Sequence, residues 1–593
     1  MEQDRRNLVG FLKPVRESYA RLRPYVWRYR RGFALGFGAL ILKDAASAAM
    51  PLLIKEAIDA LTRGLTLNLV FIFCGLWLCL SAVKGLFQYR MRVVLIGISR
   101  DIEYDLRNDI FRHLTTLSPD FYSRVRTGDI ISRATNDLNA VRMLLGPGIM
   151  YLTETTLMFV LAVIVMMWVD WRLTLIAILP APAVSVAVMY FGRIIHDRFE
   201  RIQASFADIS SRVQENLSGV RVIRAYVQEE PELRRFERLN RDYVGRNLAL
   251  AKISSLFMPM LQGLIGLTFL VVLWAGGYAV LNGQISLGSF VMFNTYMGML
   301  IWPMIAIGWV VNLMQRGTAS LGRIGRILDE QPSISAPPNP VRIGHVRGEI
   351  EFREVVVQYP ECRALDHLNL KIAAGETVAI VGHTGSGKST IARLIPRLLD
   401  PAKGAVLIDG IDVRAVSPKD IRRQIGLVPQ ETFLFSATLA ENIALGVEEA
   451  SMERIEWAAD VAGLTADVAG FPEGFQTRVG ERGLTLSGGQ KQRTAIARAI
   501  LRDPKILILD DALSSVDTLT EERILTRLSE VIRGRTTILI SHRVSTIRQA
   551  DRIIVIEAGR IAEQGTHAEL VALGGYYADL YQKQLLEEEL EAI

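Results

Sequence analysis

The sequence has very few cysteines. The three in 593 residues are Cys74, Cys79 and Cys362, and their spacing fits neither a disulfide framework nor a cysteine-bound metal. We therefore expect no structural disulfide. Cys74 and Cys79 fall within an apolar stretch, where a cysteine behaves as a small apolar side chain.

Long apolar runs are lacking in the second half of the chain. Before about residue 315 there are several uncharged or nearly uncharged runs longer than the ~18 residues that cross a bilayer, and after it there are none. Half of all residues are apolar and the mean hydropathy is positive, which is unusual for a soluble protein. The asymmetry predicts a membrane-embedded half followed by a soluble half.

The N-terminus lacks the pattern of a cleavable signal peptide. Residues 1–31 are polar and rich in arginine, and the first apolar run is long enough to stay in the membrane as a span. Residues 9–28 set aromatic and aliphatic side chains among basic ones, which is typical of a helix lying along the inner membrane surface. We predict that residues 1–31 form such an amphipathic interfacial segment.

The apolar runs predict an all-α transmembrane domain at 32–314 with six spans. The spans cover residues 32–57, 68–94, 147–169, 172–193, 254–281 and 287–314. Arginine and lysine concentrate in the N-terminus and in the two long segments between spans, so the positive-inside rule places these segments and both termini in the cytoplasm. Arginines facing anionic lipid also account for the net charge of +6, so no nucleic-acid partner is predicted.

The two long cytoplasmic segments, 95–146 and 194–253, keep amphipathic helical spacing and contain few glycines or prolines. We predict that each is a helix leaving the membrane, a short crossing and a helix returning, with the crossings near Ser118–Asp129 and Gly219–Glu230. Arms of roughly 25 residues would reach about 35 Å. Solvated loops are the alternative, although loops of this length without structure are uncommon.

The soluble half begins after a linker predicted at 315–348, whose second part is rich in proline. We predict an α/β P-loop domain at 349–583 and an acidic tail at 584–593. The apolar strand 376–381 leads into the glycine-rich turn GHTGSGKS, Gly382–Ser389. The apolar residues that follow have the period of a helix packed on a sheet, which extends as far as Leu399.

A strand, GxxxxGKS and a helix in this order predict a phosphate-binding loop. Backbone N–H groups from Gly385 to Lys388 would face the phosphates, Lys388 would reach the β and γ groups, and Ser389 would supply an oxygen to Mg²⁺. A second buried strand ends at Asp510, whose carboxylate suits the same ion. A third ends just before His542, which suits contact with the γ-phosphate. ATP and Mg²⁺ are therefore the expected ligands.

The string LSGGQ at Leu486–Gln490 completes a pattern that resembles the half-transporters of the ATP-binding cassette (ABC) exporter family, over residues 20–580. The resemblance implies that Tyr359 stacks on adenine, that Gln430 senses Mg²⁺ and the membrane domain, and that Asp517 ends a loop leading to a partner cassette. It assigns nucleotide binding to Tyr359, Gly382, Gly385, Ser386, Gly387, Lys388, Ser389, Thr390, Ser487, Gly488, Gly489, Gln490 and Asp517. It assigns metal binding to Ser389, Gln430 and Asp510, and catalysis to Asp511, His542 and Gln430.

The family pattern also implies a dimer, because two cassettes enclose two ATP molecules between the phosphate loop of one and the signature of the other. Asp511 departs from that pattern, since such proteins usually carry glutamate there as the hydrolytic base. The departure resembles the chain with the non-equivalent site in heterodimeric bacterial multidrug exporters, and it predicts slow hydrolysis at this chain's own site. A conservative swap that still works and a homodimer with two slow sites remain alternatives.

The resemblance implies ATP-driven export of a hydrophobic or amphipathic small molecule, a drug or a lipid, across the bacterial inner membrane. A non-transporting regulator or channel gated by ATP is the alternative. An ABC-type DNA-handling ATPase would not account for the spans. Lys43, Asp44 and Lys84 are charges inside predicted spans, where charge is costly. They either line a polar cavity or pair between helices.

Overall fold

The computed structural model describes residues 20–64, 66–480, 483 and 485–591. The chain divides into two compact units. The membrane unit comprises the chain up to Thr115 and Arg126–Glu330, and the soluble unit comprises Thr116–Val125 and the chain from Gln331 onward. Most of the predicted interfacial segment lies outside the described residues, and its last part, 20–28, is helical.

Among the described residues, six helices are long and apolar enough to cross a membrane, which confirms the predicted all-α membrane domain. Spans 1 to 6 are Arg30–Thr62, Leu67–Leu114, Thr127–Val169, Trp171–Ser218, Glu229–Leu281 and Leu287–Leu328. Span 3 contains the α-helices Thr127–Ser132, Leu138–Met143 and Ile149–Val169, joined by π-helical turns at Arg133–Asp137 and Leu144–Gly148. Span 4 consists of the helices Trp171–Ile178 and Ala181–Ser218.

Several of these helices run well beyond the apolar stretches. Span 2 continues to Leu114, where Ile102, Leu106 and Ile110 form one buried face. The short helices Pro119–Arg124 and Val220–Ala225 lie at the two predicted crossings. Amphipathic period, rather than hydropathy, therefore decides how far each helix extends.

The first part of the predicted linker, 315–348, is wrong, because it is helical. Span 6 continues through residues 315–328, because Leu321, Ile324 and Ile327 recur on one helical face and are buried. The stretch Thr116–Val125 also departs from the predicted 32–314 domain, since it groups with the soluble unit, where Ser118 Oγ accepts a hydrogen bond from the Ile334 amide at 3.0 Å.

Two charged side chains of span 1 lie close to each other and to a third charged side chain on span 3. Lys43 and Asp44 of span 1 are 5% and 1% exposed, and Lys43 Nζ lies 2.7 Å from Asp44 Oδ1 and 2.5 Å from Glu154 Oε1 of span 3. Two carboxylates around one ammonium offset the cost of burying it. For Lys43, the structure thus shows pairing between helices.

Spans 1 and 6 approach closely where span 6 begins. Asp59 accepts hydrogen bonds from the Gly288 amide at 2.9 Å and from Ser286 Oγ at 2.7 Å, so a carboxylate stabilises the helix N-terminus. A Cβ at Gly288 would lie 2.2 Å from the Lys55 carbonyl oxygen. Only glycine therefore permits this approach.

The described part of the soluble unit contains ten strands in two sheets. They are β1 (Ile350–Gln358), β2 (Arg363–Ile372), β3 (Thr377–Val381), β4 (Lys403–Ile408), β5 (Ile411–Asp412), β6 (Ile425–Val428), β7 (Ile506–Asp510), β8 (Thr536–Ile540), β9 (Arg552–Glu557) and β10 (Arg560–Gly565). An antiparallel sheet has the order β2-β1-β4-β5, and a larger sheet has the order β10-β9-β3-β8-β7-β6. In the larger sheet all strands are parallel except β10.

Helices cover the sheets, as expected for a predominantly parallel α/β sheet, and confirm the predicted α/β class. They are Lys388–Leu394, Pro418–Arg423, Leu439–Ala444, Met452–Val461, Thr465–Ala469, Gly488–Leu501, Thr518–Ile532, Val544–Ile547, His567–Leu573 and Tyr576–Glu591. The helix after the glycine-rich turn is shorter than predicted: it ends at Leu394. A turn follows, in which Arg397 has a left-handed φ of 51°. The last helix, Tyr576–Glu591, continues into the predicted acidic tail at 584–593.

We predict that Gly288→Ala separates spans 1 and 6. Moving the Lys55 carbonyl to make room should cost ~1–3 kcal/mol of the free energy of unfolding. Thermal unfolding in detergent would measure the loss. Gly277→Ala is the matched control, because its added methyl group would meet no atom within 4 Å. Equal unfolding temperatures for the two variants would contradict the predicted close contact.

Candidate nucleotide site

The polar residues of the site lie at one edge of the larger sheet. Strands β3, β7 and β8 are parallel neighbours, with Asp510 of β7 paired to Ile540 of β8. Carboxyl ends of parallel strands meet at the same edge, which is where α/β sheets bind ligands. The glycine-rich turn and Asp511 directly follow the ends of β3 and β7, and His542 lies two residues after the end of β8.

The glycine-rich turn has three left-handed glycines with different surroundings. A Cβ at Gly382 would lie 2.2 Å from the Ile556 carbonyl oxygen, and one at Gly387 would lie 2.4 Å from the Ala364 carbonyl oxygen. These two positions exclude any side chain. Gly385 instead has φ of 84° and no neighbouring atom within 4 Å of its would-be Cβ, so its backbone faces open space.

Lys388 lies inside this turn. Its Nζ donates to the carbonyl oxygens of Gly382 and His383, both at 2.7 Å. Burial lowers the pKa of the ammonium group, although the carboxylates of Asp510 and Asp511 oppose the shift. An ammonium group held by two carbonyls and two nearby carboxylates is positioned to bind an anion that enters the turn.

The side chain of Ser386 also indicates that the turn binds an anion. Its hydroxyl oxygen is buried and has no hydrogen-bond partner among the described residues. A buried hydroxyl without a partner is uncommon in folded proteins. It fits a phosphate oxygen that would complete its hydrogen bonding.

Ser389 and Asp510 provide a pair of oxygen atoms at the base of the site. Ser389 Oγ donates to Asp510 Oδ1 at 3.2 Å. Burial raises the pKa of Asp510, the bond from Ser389 opposes this, and the nearby Asp511 charge adds to it. A divalent cation would offset the cost of this buried charge. No cluster of three acidic, histidine or cysteine side chains suited to a metal occurs in the described part, but Mg²⁺ usually takes only one or two carboxylates together with phosphates and water.

A cavity of about 290 Å³ joins these groups. Ten of the predicted site residues line it: Tyr359, Gly385, Gly387, Lys388, Ser389, Thr390, Gln430, Asp510, Asp511 and His542. Four further residues line the cavity but were not predicted as site residues: Cys362, Ala364, Thr384 and Ile540. Thr384 could have been found from its place inside the glycine-rich turn, whereas Cys362 and Ala364 carry no sequence signal for a nucleotide.

The signature residues do not line this cavity. Ser487 is the N-cap of the helix Gly488–Leu501, where its Oγ accepts from the Gln490 amide and Gln490 Oε1 accepts from the Ser487 amide at 2.9 Å. Gly489 lies against the Ser515 carbonyl, 3.0 Å from its would-be Cβ. Asp517 is also outside the cavity and caps the helix Thr518–Ile532.

Asp511 has a left-handed backbone, with φ of 53°. Aspartate adopts this conformation more readily than most side chains do, because its short polar group hydrogen-bonds locally. Gln492 Nε2 donates to the Asp511 carbonyl at 3.3 Å, and its Oε1 accepts from the Ser515 amide at 2.9 Å. Gln492 belongs to the signature helix and was not predicted, although it lies only two residues beyond Gln490.

Sequence comparisons identify both units. Residues 33–304 match the ABC transporter transmembrane region, and residues 365–514 match the ABC transporter domain. A probable multidrug resistance ABC transporter ATP-binding/permease protein, YheI of Bacillus subtilis, is 40% identical over 90% of this chain and 92% of its own length. The chain belongs to the ABC transporter family. This ABC transporter therefore joins an ATPase domain to a multi-pass membrane domain.

Other relatives extend over nearly the whole transporter. The multidrug resistance-like ATP-binding protein MdlA of Escherichia coli is 36% identical over 95% of this chain and 97% of its own. An ATP-dependent lipid A-core flippase of Syntrophus aciditrophicus is 35% identical over 94% of this chain and 93% of its own.

The transporter also resembles a solved structure of a bacterial Atm1-family ABC exporter with ATP bound. The TM-score is 0.78 at 30% identity, and the match covers 94% of this chain and 98% of the other. The exporter-type fold predicted from the sequence is thereby confirmed.

We predict that Lys388→Ala abolishes ATP binding at this chain's site, because the turn would lose the only ammonium among the residues that line the cavity. Binding of a fluorescent ATP analogue to the purified transporter would measure this. Lys403→Ala removes an exposed lysine at the start of β4 and should leave binding unchanged. Equal affinities for Lys388→Ala and Lys403→Ala would refute the assignment.

Proposed function

We propose that this ABC transporter uses ATP to export a hydrophobic or amphipathic small molecule, a drug or a lipid, by alternating access. The observation that carries the proposal is one cavity at the ends of β3, β7 and β8 that gathers a phosphate loop, a pair of metal-binding oxygens and His542, on a chain with six candidate spans. The names of the multidrug and flippase relatives support this range of cargo.

Different residues of the cavity bind different parts of ATP and its Mg²⁺ ion. The Tyr359 ring stacks on adenine, and Lys388 together with the backbone amides of the turn binds the phosphates. Ser389, Asp510 and Gln430 hold Mg²⁺. When bound there, the ion would supply positive charge to the phosphate oxygens.

Two residues act on the reacting atoms themselves. His542 donates a hydrogen bond to the γ-phosphate, and Asp511 orients the attacking water. Both line the cavity beside Lys388, so both would face the phosphates of a nucleotide bound there.

A second half-transporter completes the dimer that binds and hydrolyses ATP. Ser487, Gly488, Gly489 and Gln490 lie at a helix N-terminus away from this chain's own cavity. A helix N-terminus attracts phosphate, so these residues serve the nucleotide bound by the partner. Asp517 lies at the end of the loop that faces it.

Asp511 makes a heterodimer the favoured assembly. Aspartate is one methylene shorter than glutamate, which withdraws the carboxylate by roughly 1 Å and can cost about 100-fold in rate. This chain's own site then binds ATP but hydrolyses it slowly, while its signature completes a faster site on the partner. A homodimer with two slow sites is the alternative. Both termini are cytoplasmic, and the transporter resides in the bacterial inner membrane.

We predict that proteoliposomes containing the assembled transporter accumulate a hydrophobic fluorescent drug or a labelled lipid against its gradient only when ATP is outside. Coupled ATP hydrolysis and uptake, measured together, test this directly. The control replaces the phosphate-loop lysine of both chains with alanine: Lys388→Ala in each chain of a homodimer, or Lys388→Ala together with the equivalent change in a different partner. It should abolish uptake. ATP-dependent ionic current without uphill movement of cargo would instead support a gated channel.

We predict that Asp511→Glu raises ATP turnover by about 10- to 100-fold at this chain's site, because the longer side chain brings the carboxylate to the water. Steady-state ATPase assays would measure the gain. Asp503→Glu is the matched control, since Asp503 also has a left-handed backbone, with φ of 54°, but lies outside the cavity. It should share any loss of stability without the gain in rate. Unchanged turnover in Asp511→Glu would show that the base does not limit this site.

A further inference from the structure

The backbone around His542 is bound by a side chain from the C-terminal helix. Gln584 Nε2 donates to the His542 carbonyl at 2.5 Å, and Gln584 Oε1 accepts from the Val544 amide at 2.7 Å. One amide side chain therefore supplies both a donor and an acceptor to the turn between β8 and the helix Val544–Ile547. Such paired bonds fix a backbone turn in position and orientation.

The residue between these two contacts is fixed from the other side. Arg543 donates to the carbonyl oxygens of Val516 at 2.8 Å and Ser514 at 3.1 Å, in the segment that follows Asp511. Its guanidinium also pairs with Glu521, which is 1% exposed. The turn that carries His542 is thus held between the Asp511 segment and the C-terminal helix.

The same helix contacts the phosphate loop at its other end. The Tyr576 ring packs edge-on against His383, with ring centroids 4.6 Å apart, and the His383 carbonyl accepts from Lys388 Nζ. Tyr576 and Gln584 are about 12 Å apart along a helix. One rigid element therefore spans from the phosphate loop to the histidine turn.

Packing alone does not require the Gln584 amide. The helix is anchored in the core by Tyr577, which is fully buried, whereas Gln584 is only partly buried and lines a polar cavity of about 190 Å³. Water in such a cavity can satisfy the His542 carbonyl and the Val544 amide if Gln584 is removed. The fold would then persist while the histidine turn loses its fixed position.

We propose that Gln584 is a positioning residue for ATP hydrolysis, which holds His542 at the γ-phosphate through the backbone of its turn. The inference rests on the hydrolytic role of His542 in the proposed function. The C-terminal helix, whose residues 584–591 belong to the predicted acidic tail, thereby contributes directly to the rate of ATP hydrolysis.

The test compares Gln584→Met with Gln582→Met in the full-length assembled transporter. Methionine keeps the length of the side chain but neither bonding group. We expect Gln584→Met to lower kcat for ATP by about 10-fold, with the KM for ATP and the unfolding temperature nearly unchanged. Gln582 is exposed on the same helix, and its substitution should change none of these. The assays use wild-type and Asp511→Glu backgrounds, because Asp511 sets the rate of the site in which His542 acts.

A double-mutant cycle with His542→Ala separates positioning from general loosening. If Gln584 acts through His542, Gln584→Met should have no further effect once the imidazole is absent. If Gln584→Met lowered kcat equally in the presence and in the absence of the His542 imidazole, the inference would be overturned. A rise in KM with kcat unchanged would also overturn it. Unchanged turnover in His542→Ala would overturn it together with the role of His542. Loss of transport with the cycle intact would overturn only the proposed cargo export.

Discussion

The parallel pairing of β3, β7 and β8 is the constraint on which the nucleotide site depends. These strands are almost wholly buried, so apolar burial fixes their register, and a slip of one residue would turn Asp510 to the opposite face. Because the register is fixed, the phosphate loop, the two aspartates and the histidine turn emerge at one edge of the sheet. Apolar packing thus positions the polar side chains of the candidate nucleotide site.

In the membrane unit, polar contacts do the positioning. Lipid tails and aliphatic side chains are equally apolar, so packing of small residues and buried hydrogen bonds decide which helices associate. Gly288 lets span 6 approach span 1, and Asp59 accepts hydrogen bonds from the Gly288 amide and the Ser286 hydroxyl. Lys43 joins span 1 to Glu154 of span 3. Span 1 is consequently bound to two other spans through side chains that hydropathy alone would count as unfavourable.

The sequence predicts the positions of the nucleotide-binding motifs better than it predicts the ends of the helices. The glycine-rich turn, Asp510, Asp511 and His542 follow buried apolar strands, and local pattern suffices to place them. The ends of helices depend on tertiary packing instead: residues 315–328 and 584–591 look polar in composition, yet the first buries Leu321 and Ile324 and the second carries Gln584 to the histidine turn. Gln584 and His542 are far apart in sequence, and only the fold brings them together.

The buried charges of Lys388 and Asp510 also make the stability of the cassette depend on what occupies its cavity. Burial shifts the pKa of each toward the neutral form, so without nucleotide the cassette carries an electrostatic cost within its fold. A ligand at 100 times its Kd adds about 2.7 kcal/mol to the stability of a folded protein. Nucleotide held in the cavity would therefore stabilise the same cassette that it drives.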